Sequence, residues 1–299
     1  MRFTTATTLD EALAALADGA RPVAGGSDLV VGARQGKAPL PEHLVAIDRI
    51  DDLRQIAAGP SGLSIGALVS HRALEHHPLV LTHATGVADA SALVGSPSTR
   101  NVGTVGGNVM NGSPAMDTGA PLVTLGAAAE LRSIRGSRQV LLTELWLGPG
   151  RTSAEPDELC VALHLPTPAE RTGSAYVRLE YRRAMEIAVV GAGATVSLAD
   201  DGSLAGLRVA LTAVAPVILP VDALDGLVGR PVDEVLLGEV AARASEQARP
   251  ISDLRATDRY RRHTVGVMAR RAVEAATRRA RGEHLAVPVN RTLGIGAAS

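Results

Sequence analysis

A glycine-rich segment near the middle of the chain constrains its fold more than any other feature. The segment, NVGTVGGNVMNGSPAMDTGAP, spans residues 101–121, and Asp117 is its only charged residue. Small polar residues surround Gly103, Gly106, Gly107 and Gly112. Because the segment has neither a helical nor a strand period, we predict a loop. Glycine lets backbone N–H groups approach a ligand closely, so such a loop is typical of an anion cradle that needs no lysine.

A second glycine cluster lies far earlier in the chain. Ala24–Asp28, with sequence AGGSD, directly follows a short predicted strand. Ser27 in this cluster, and Thr104 and Asn108 in the other, are neutral hydrogen-bond donors. Each cluster is also compatible with an ordinary turn. Because both clusters are flanked by polar donors, two interpretations stay open: both are ordinary turns, or together they form one cradle for a pyrophosphate.

The familiar nucleotide motifs do not match. The stretch from Gly32 to Lys37 is one residue too short for a P-loop, and Ala38 stands where serine or threonine is required. GAGATV, beginning at Gly191, lacks the third glycine of the dinucleotide fingerprint. A bound dinucleotide would therefore be held by a different kind of fold.

Composition excludes several classes of protein. A formal net charge of −1 argues against nucleic-acid binding through bulk electrostatics. The only cysteine, Cys160, excludes an intramolecular disulfide and an iron–sulfur cluster ligated by this chain alone. The first residues lack a signal-peptide core and no apolar run is long enough to span a membrane, so we expect a cytoplasmic protein with no membrane insertion.

No metal site is predicted. The spacing of His71, His76, His77 and His83 does not place two of them on one helix face, and exposed histidines at helix ends explain them better. Cys160 is interpreted as a small buried residue rather than a nucleophile. For Asp117 two roles stay open: a carboxylate that accepts from a ribose or ribityl hydroxyl, or the cap of a following helix.

Local patterns also predict the elements of the chain. Thr8 and Glu11 form a capping box for a helix over residues 8–17. Short strands and helices alternate up to a boundary at 168–174. Three antiparallel strands follow, with a hairpin turn at Asp200–Gly202, and then helices over residues 231–282. The tail after Gly282 is expected to be disordered or to reach a partner.

Four segments together resemble a known family, the FAD-binding medium subunit of the molybdenum hydroxylases, which include carbon monoxide dehydrogenase and xanthine dehydrogenase. These segments are PVAGGSDLVVGARQG, LSIGALVSH, TRNVGTVGGNVMNGSPAMDTGAPLVTLGA and YVRLEYRRAMEIAVV. The resemblance covers nearly the whole chain in the same order and spacing. It implies an α+β fold. The implied FAD-binding domain is of the vanillyl-alcohol oxidase type, with α/β subdomains at 1–55 and 56–170. The implied C-terminal domain, at 171–285, consists of a three-stranded antiparallel sheet and a helical bundle. A tail follows at 286–299.

The resemblance also implies a role in electron transfer. A large subunit with molybdopterin oxidises the substrate, a small subunit with [2Fe–2S] clusters passes the electrons on, and FAD on this chain delivers them to oxygen, a quinone or NAD. Two alternatives stay open. The first alternative is a stand-alone FAD-dependent oxidase or reductase that acts on its own small substrate. The second is a docking or assembly protein that has kept the fold and lost FAD.

The family positions that contact FAD map onto specific residues here. The first pyrophosphate loop is implied to be Val23, Ala24, Gly25, Gly26, Ser27, Asp28 and Leu29. The second is implied to be Gly103, Thr104, Gly106, Gly107 and Asn108, with Thr104 and Asn108 donating to phosphate or ribityl oxygens. The other implied cofactor residues are Ala67, Thr99, Met110, Asp117, Leu159, Cys160 and Arg178.

Four of these positions have more specific implied roles. Asp117 accepts from a cofactor hydroxyl, and Leu159 and Cys160 border the isoalloxazine. Arg178 stands where many relatives have a lysine close to the flavin, and a cation there raises the flavin potential. Tyr176 or Tyr181 is a candidate to cover the flavin face.

Overall fold

The computed structural model describes residues 1–36, 39–182 and 184–294, so Lys37 and Ala38 lie outside the described residues. The chain begins with a small parallel sheet in the order β1-β3-β2. Its elements are β1 (Arg2–Thr5), α1 (Leu9–Ala17), β2 (Arg21–Val23), α2 (Ser27–Arg34) and β3 (His43–Ala46). Leu13 and Leu16 of α1 pack with Val45 in the core beside this sheet.

The predicted start of α1 is confirmed. Glu11 N donates to Thr8 Oγ1 over 3.2 Å, and Thr8 N donates to Glu11 Oε2 over 3.3 Å. This reciprocal pair satisfies two amides that helix geometry leaves free.

A five-stranded antiparallel sheet in the order β4-β5-β10-β6-β7 forms the next part of the molecule. Its connecting helices pack on the sheet around a core of Ile65, Leu131 and Leu163. The elements are β4 (Ile56–Gly59), β5 (Gly62–Gly66), α3 (His71–His76), α4 (Pro78–His83), α5 (Thr85–Leu93), α6 (Pro97–Val102), α7 (Val105–Asn111), α8 (Gly119–Thr124), β6 (Ala128–Ser133), β7 (Gly136–Leu141), α9 (Leu142–Leu145), β8 (Trp146–Gly148), β9 (Arg151–Thr152) and β10 (Leu159–Leu165).

The prediction of a loop over the glycine-rich segment is wrong. The segment contains α7 and begins α8. Thr104 caps α7 by accepting from Gly107 N over 3.2 Å, and Gly112, at φ +61°, ends the helix. Gly106 has no side chain and lies against Ala67. This helix shows no amphipathic period because a glycine, rather than an apolar side chain, makes part of its buried contact.

A four-stranded antiparallel sheet, in the order β11-β12-β13-β14, begins after residue 171. The three long strands confirm the prediction, and the two-residue β14 adds a fourth. The long helix α11 buries Val265, Met268 and Val273 against this sheet, as its sequence period predicts. The elements are β11 (Thr172–Leu179), β12 (Val190–Leu198), β13 (Leu204–Thr212), β14 (Leu219–Pro220), α10 (Glu234–Gln247), α11 (Asp258–Ala280) and α12 (Val289–Thr292).

The C-terminal segment packs on its own chain through the described residues, so the prediction of a disordered tail is wrong up to Gly294. That the tail reaches a partner stays a prediction. Val289 N donates to Asp89 Oδ1 over 2.9 Å. Asn290, only 1% exposed, bonds to the main chain of Arg178. The segment therefore closes onto β11, the edge strand of the last sheet.

None of the helices in the described ranges combines the length and apolar character needed to cross a membrane.

Candidate functional site

The structure brings the two glycine clusters into direct contact. A Cβ built on Gly25 would lie 1.8 Å from the carbonyl oxygen of Val102, at the start of the second cluster. A Cβ on Gly103 would lie 3.8 Å from Ser27 Oγ. The clusters are far apart in sequence, and only glycine at position 25 allows the two main chains to approach this closely. They form one continuous surface, with polar groups from both.

The first loop presents the N-terminus of α2. Gly26 caps this helix with φ +67°, a left-handed conformation that suits glycine, and it has no side chain that could cap the first turn. The helix begins at Ser27, so the amides of its first turn lie beside the second cluster. Helix N-termini carry partial positive charge and free donors, which suit a pyrophosphate.

The second loop uses most of its main-chain donors inside the protein. Gly106 N donates to Ala67 O over 2.9 Å, and Gly107 N donates to Thr104 Oγ1 over 3.2 Å. Gly103 N likewise donates to Thr99 O over 2.7 Å. Any hydrogen bond from this loop to a ligand would therefore come chiefly from side chains, such as the Thr104 hydroxyl proton and the Asn108 amide.

Gly107 marks the open side of the second loop. The residue is exposed, and a Cβ placed on it would contact only Thr104 Oγ1, at 3.0 Å. Space therefore lies in front of this glycine. An exposed glycine with open space beside it leaves room for a bulky anionic cofactor group.

Three predicted cofactor residues lie behind this surface rather than on it. Ala67, Leu159 and Cys160 are all buried. Ala67 N donates to Val161 O over 2.9 Å, which joins the strand that carries Leu159 and Cys160 to the back of the second loop. Burial, with the nearby Glu130 carboxylate, raises the pKa of the Cys160 thiol to about 12. The interpretation of Cys160 as a small buried residue is confirmed.

Asp117 is the centre of a buried polar cluster. Tyr176 Oη donates to Asp117 Oδ1 over 2.9 Å, and Arg178 Nη1 donates to Asp117 Oδ2 over 2.7 Å. Arg178 also pairs with Glu180 at 2.6 Å. Burial lowers the pKa of Arg178, but the charges of Asp117 and Glu180 outweigh it, so the pKa is raised. Arg178 is therefore a fixed, permanently charged group.

The cluster is joined to the second loop. Thr118 Oγ1 donates to Asn108 Oδ1 over 2.6 Å, so the residue after Asp117 orients the side chain of Asn108. Thr118, not Asp117, is the cap residue of α8, and its side chain makes no capping bond. The alternative role of Asp117 as a helix cap is therefore wrong. Its role towards a cofactor hydroxyl stays a prediction, with each oxygen already accepting one bond.

The two candidate tyrosines differ sharply in position. Tyr176 is fully enclosed by protein, so it has no face to offer a ligand. Tyr181 is 59% exposed and donates its hydroxyl to Arg255 O over 2.9 Å. Arg178 is also fully enclosed, so it would act on a cofactor through its charge or through Asp117 rather than by direct contact.

Thr99 and Met110 lie at the rim of the same surface, each half-buried. Thr99 Oγ1 donates to the sulfur of Met185 over 3.7 Å, which joins this rim to the segment after β11. Met110 packs against the core behind the five-stranded sheet.

One residue beside the glycine clusters was not predicted from the sequence. His71, expected to be exposed at a helix end, is 2% exposed, and its ring lies 3.3 Å from the Cβ position of Gly103. Its Nδ1 is buried and has no hydrogen-bond partner. Burial, together with the charge of Arg100, lowers the pKa of His71 to about 4, so the ring is neutral near pH 7. No group of three potential metal ligands occurs among the described residues.

Comparison with known families agrees with this geometry. Residues 1–168 match the family described as the FAD binding domain in molybdopterin dehydrogenase. The chain belongs to this family, and FAD is its cofactor. Residues 175–276 match the C-terminal domain of the carbon monoxide dehydrogenase flavoprotein. The contacting glycine loops, the uncapped start of α2 and the open side of Gly107 fit the FAD pyrophosphate.

Individual relatives of this FAD-binding chain cover almost its whole length. A putative xanthine dehydrogenase FAD-binding subunit of Escherichia coli is 31% identical over 93% of this chain and 96% of its own length. The carbon monoxide dehydrogenase medium chain of Afipia carboxidovorans is 35% identical over 90% of this chain and 93% of its own.

Solved structures show the same likeness. A carbon monoxide dehydrogenase chain from Oligotropha carboxidovorans superposes with a TM-score of 0.88 at 32% identity, covering 93% of this chain and 98% of its own. Quinoline 2-oxidoreductase from Pseudomonas putida gives a TM-score of 0.87 at 27% identity, over 94% and 98% of the two chains.

Proposed function

We propose that this FAD-binding chain is the electron-transfer subunit of a molybdenum hydroxylase complex. It receives electrons from [2Fe–2S] clusters of a small partner subunit, which takes them from a molybdopterin-containing large subunit. It then passes them to an external acceptor, namely oxygen, a quinone or NAD. Bound FAD supplies a carrier that takes up and releases electrons singly or in pairs.

One observation carries the proposal: the direct main-chain contact of the two glycine loops at Gly25 and Val102. The amides of Ser27 and its neighbours bind the pyrophosphate, and Thr104 and Asn108 add neutral donors. Arg178, held by Asp117 and Glu180, forms with them a buried charged cluster that is joined to the second loop and tunes the potential of the cofactor. The residues of this chain bind, orient and tune the cofactor, and none of them is assigned a bond-breaking step.

The partner requirement has independent support. With one cysteine, this chain cannot ligate an iron–sulfur cluster by itself. The relatives include proteins named as medium chains of dehydrogenases. The partner assignment therefore accounts for the metal chemistry that the residues of this chain do not provide.

A flavin-binding experiment tests the cofactor site. The purified chain, reconstituted with excess FAD and desalted, should retain about one flavin per chain by visible absorption. Gly107→Val should remove the flavin because its side chain fills the cradle. Gly206→Val, where a new Cβ would have only ordinary contacts with Ser197 in the last sheet, is the matched control and should retain it. Normal flavin content in Gly107→Val would show that the cradle is wrongly placed.

Purification of the native protein tests the partner assignment. We expect it to run with a molybdenum-containing subunit and an iron–sulfur subunit. Isolation only as a monomer or homodimer that turns over its own substrate without metal would instead support the stand-alone flavoenzyme. Mixing chemically reduced, flavin-loaded chain with oxygen, a soluble quinone or NAD identifies the acceptor by which one reoxidises the flavin.

A further inference from the structure

The free edge of β11 is bound by side chains instead of by another strand. β11 is the edge strand of its sheet, with β12 on its other side. Ser174 O accepts from Arg279 over 2.7 Å, and Tyr176 N donates to Asp89 Oδ2 over 3.2 Å. These two bonds satisfy main-chain groups that would otherwise be buried without partners.

Asn290 completes this edge. Arg178 N donates to Asn290 Oδ1 over 3.2 Å, and Asn290 Nδ2 donates to Arg178 O over 2.9 Å. The amide side chain therefore makes the same pair of bonds that a residue of a neighbouring strand would make. It holds one residue of β11, and that residue is Arg178.

The side chains of Tyr176 and Arg178 lie on the side of β11 that faces the proposed FAD site. Tyr176 and Arg178 extend their side chains to Asp117, and each bonds one of its carboxylate oxygens. Thr118, next in the chain, bonds Asn108 of the second loop. A continuous series of direct bonds thus joins Asn290 to Asn108 through Arg178 and Asp117.

We propose that Asn290 is a positioning residue of the FAD site, which fixes the main chain of Arg178 and thereby the places of Asp117 and the second loop. The inference rests on the FAD site proposed above. The C-terminal segment at 287–292 is then required for flavin affinity and potential, and not only for folding.

Substitution of Asn290 isolates this role. In Asn290→Ala the main-chain N–H and C=O of Arg178 lose their partners while remaining buried. The guanidinium then lies less firmly at Asp117, so we expect the FAD dissociation constant to rise at least tenfold. The midpoint potential of the bound flavin should shift because the charged cluster of Arg178, Asp117 and Glu180 moves relative to the second loop.

Two controls separate positioning from general stability. Leu285→Ala creates a cavity in the C-terminal hydrophobic core, of which Arg178 is not a member. It should lower the melting temperature but leave flavin affinity and potential unchanged. Arg291→Ala, an exposed neighbour of Asn290, should change none of the three quantities.

A second variant breaks the same series of bonds at the end that lies in the second loop. Thr118→Val keeps the shape of the buried side chain but removes its bond to Asn108. It should also weaken FAD binding, with the C-terminal segment intact, and it keeps the test available if Asn290→Ala does not fold.

The outcomes are distinct. A wild-type chain that fails to bind FAD overturns the proposed function and with it this inference. If wild type binds FAD and both Asn290→Ala and Thr118→Val bind it equally well, the inference alone is wrong. It is also wrong if Leu285→Ala shifts affinity and potential as much as Asn290→Ala does.

Discussion

Gly25 and Val102 meet main chain to main chain, and this contact joins the two glycine loops that are proposed to hold FAD. A Cβ at position 25 would lie 1.8 Å from the Val102 oxygen and 2.5 Å from its carbonyl carbon. Both atoms belong to the backbone, so the overlap cannot be relieved by rotating a side chain. The first and second loops must separate if position 25 carries any side chain.

Gly25→Ala should therefore weaken FAD binding at least tenfold, as measured by titration of the apoprotein with FAD. Gly32→Ala, on the helix α2 that follows Gly25 and with nothing within 4 Å of the new Cβ, is the matched control. It should leave affinity unchanged and stabilise the helix by about 0.5–1 kcal/mol. Native affinity in Gly25→Ala would contradict the assignment of this contact to the site.

The buried pair of Asp117 and Arg178 should respond asymmetrically to substitution. Arg178→Met leaves Asp117 enclosed with only the Tyr176 hydroxyl, and removing one partner of a buried pair typically costs about 3–5 kcal/mol. Asp117→Asn should cost less because Arg178 keeps Glu180. The double variant should be less destabilised than the sum of the single variants.

Urea unfolding of the three variants measures these differences. The exposed pair of Arg2 and Asp18 is the control, where Arg2→Met should cost less than about 1 kcal/mol. Additive effects of Asp117→Asn and Arg178→Met would show that the two side chains do not act as a pair.

His71 should make stability depend on pH. Its pKa in the folded protein is about 4, below the ordinary 6.5, so below pH 6.5 the unfolded chain binds a proton that the folded chain does not. Stability is therefore full above about pH 6.5 and declines as the pH falls towards about 4, by up to about 1.4 kcal/mol per pH unit.

Urea unfolding of wild type and His71→Gln at several pH values checks this dependence. The variant should lose less stability over the same interval because glutamine does not titrate, and the carboxylates shared by both proteins cancel in the difference. Parallel pH profiles for the two proteins would show that His71 is protonated in the folded state.

Cys160 should not react as a thiol in the folded protein. Its raised pKa, about 12, and its burial keep it protonated and out of reach of reagents. A disulfide reagent should label no thiol in native protein and one per chain in urea, because this is the only cysteine. Rapid stoichiometric labelling of native protein would contradict the packing of β10.

Elements set by nearby residues were predictable from the sequence. The capping box of α1, the long strands β11–β13 and the buried face of α11 follow from signals within a few residues of one another. The helix α7 and the packed C-terminal segment were not predictable. Gly106 packs through its lack of a side chain, and Asn290 bonds a residue 112 positions away, so neither leaves a local pattern.

The sequence by itself determined the chemistry of the site. Its two glycine clusters and neutral donors are compatible with an anionic cofactor held by backbone and small polar groups, and its single cysteine excludes an iron–sulfur cluster ligated by this chain alone. Only the tertiary structure decided which of these groups lie on the surface of the contacting loops and which lie behind it. It buried Ala67, Cys160 and Arg178, placed His71 beside Gly103, and joined Asn290 to the main chain of Arg178. The reason is physical: residue types limit which bonds are possible, whereas burial and long-range contacts select the bonds that form.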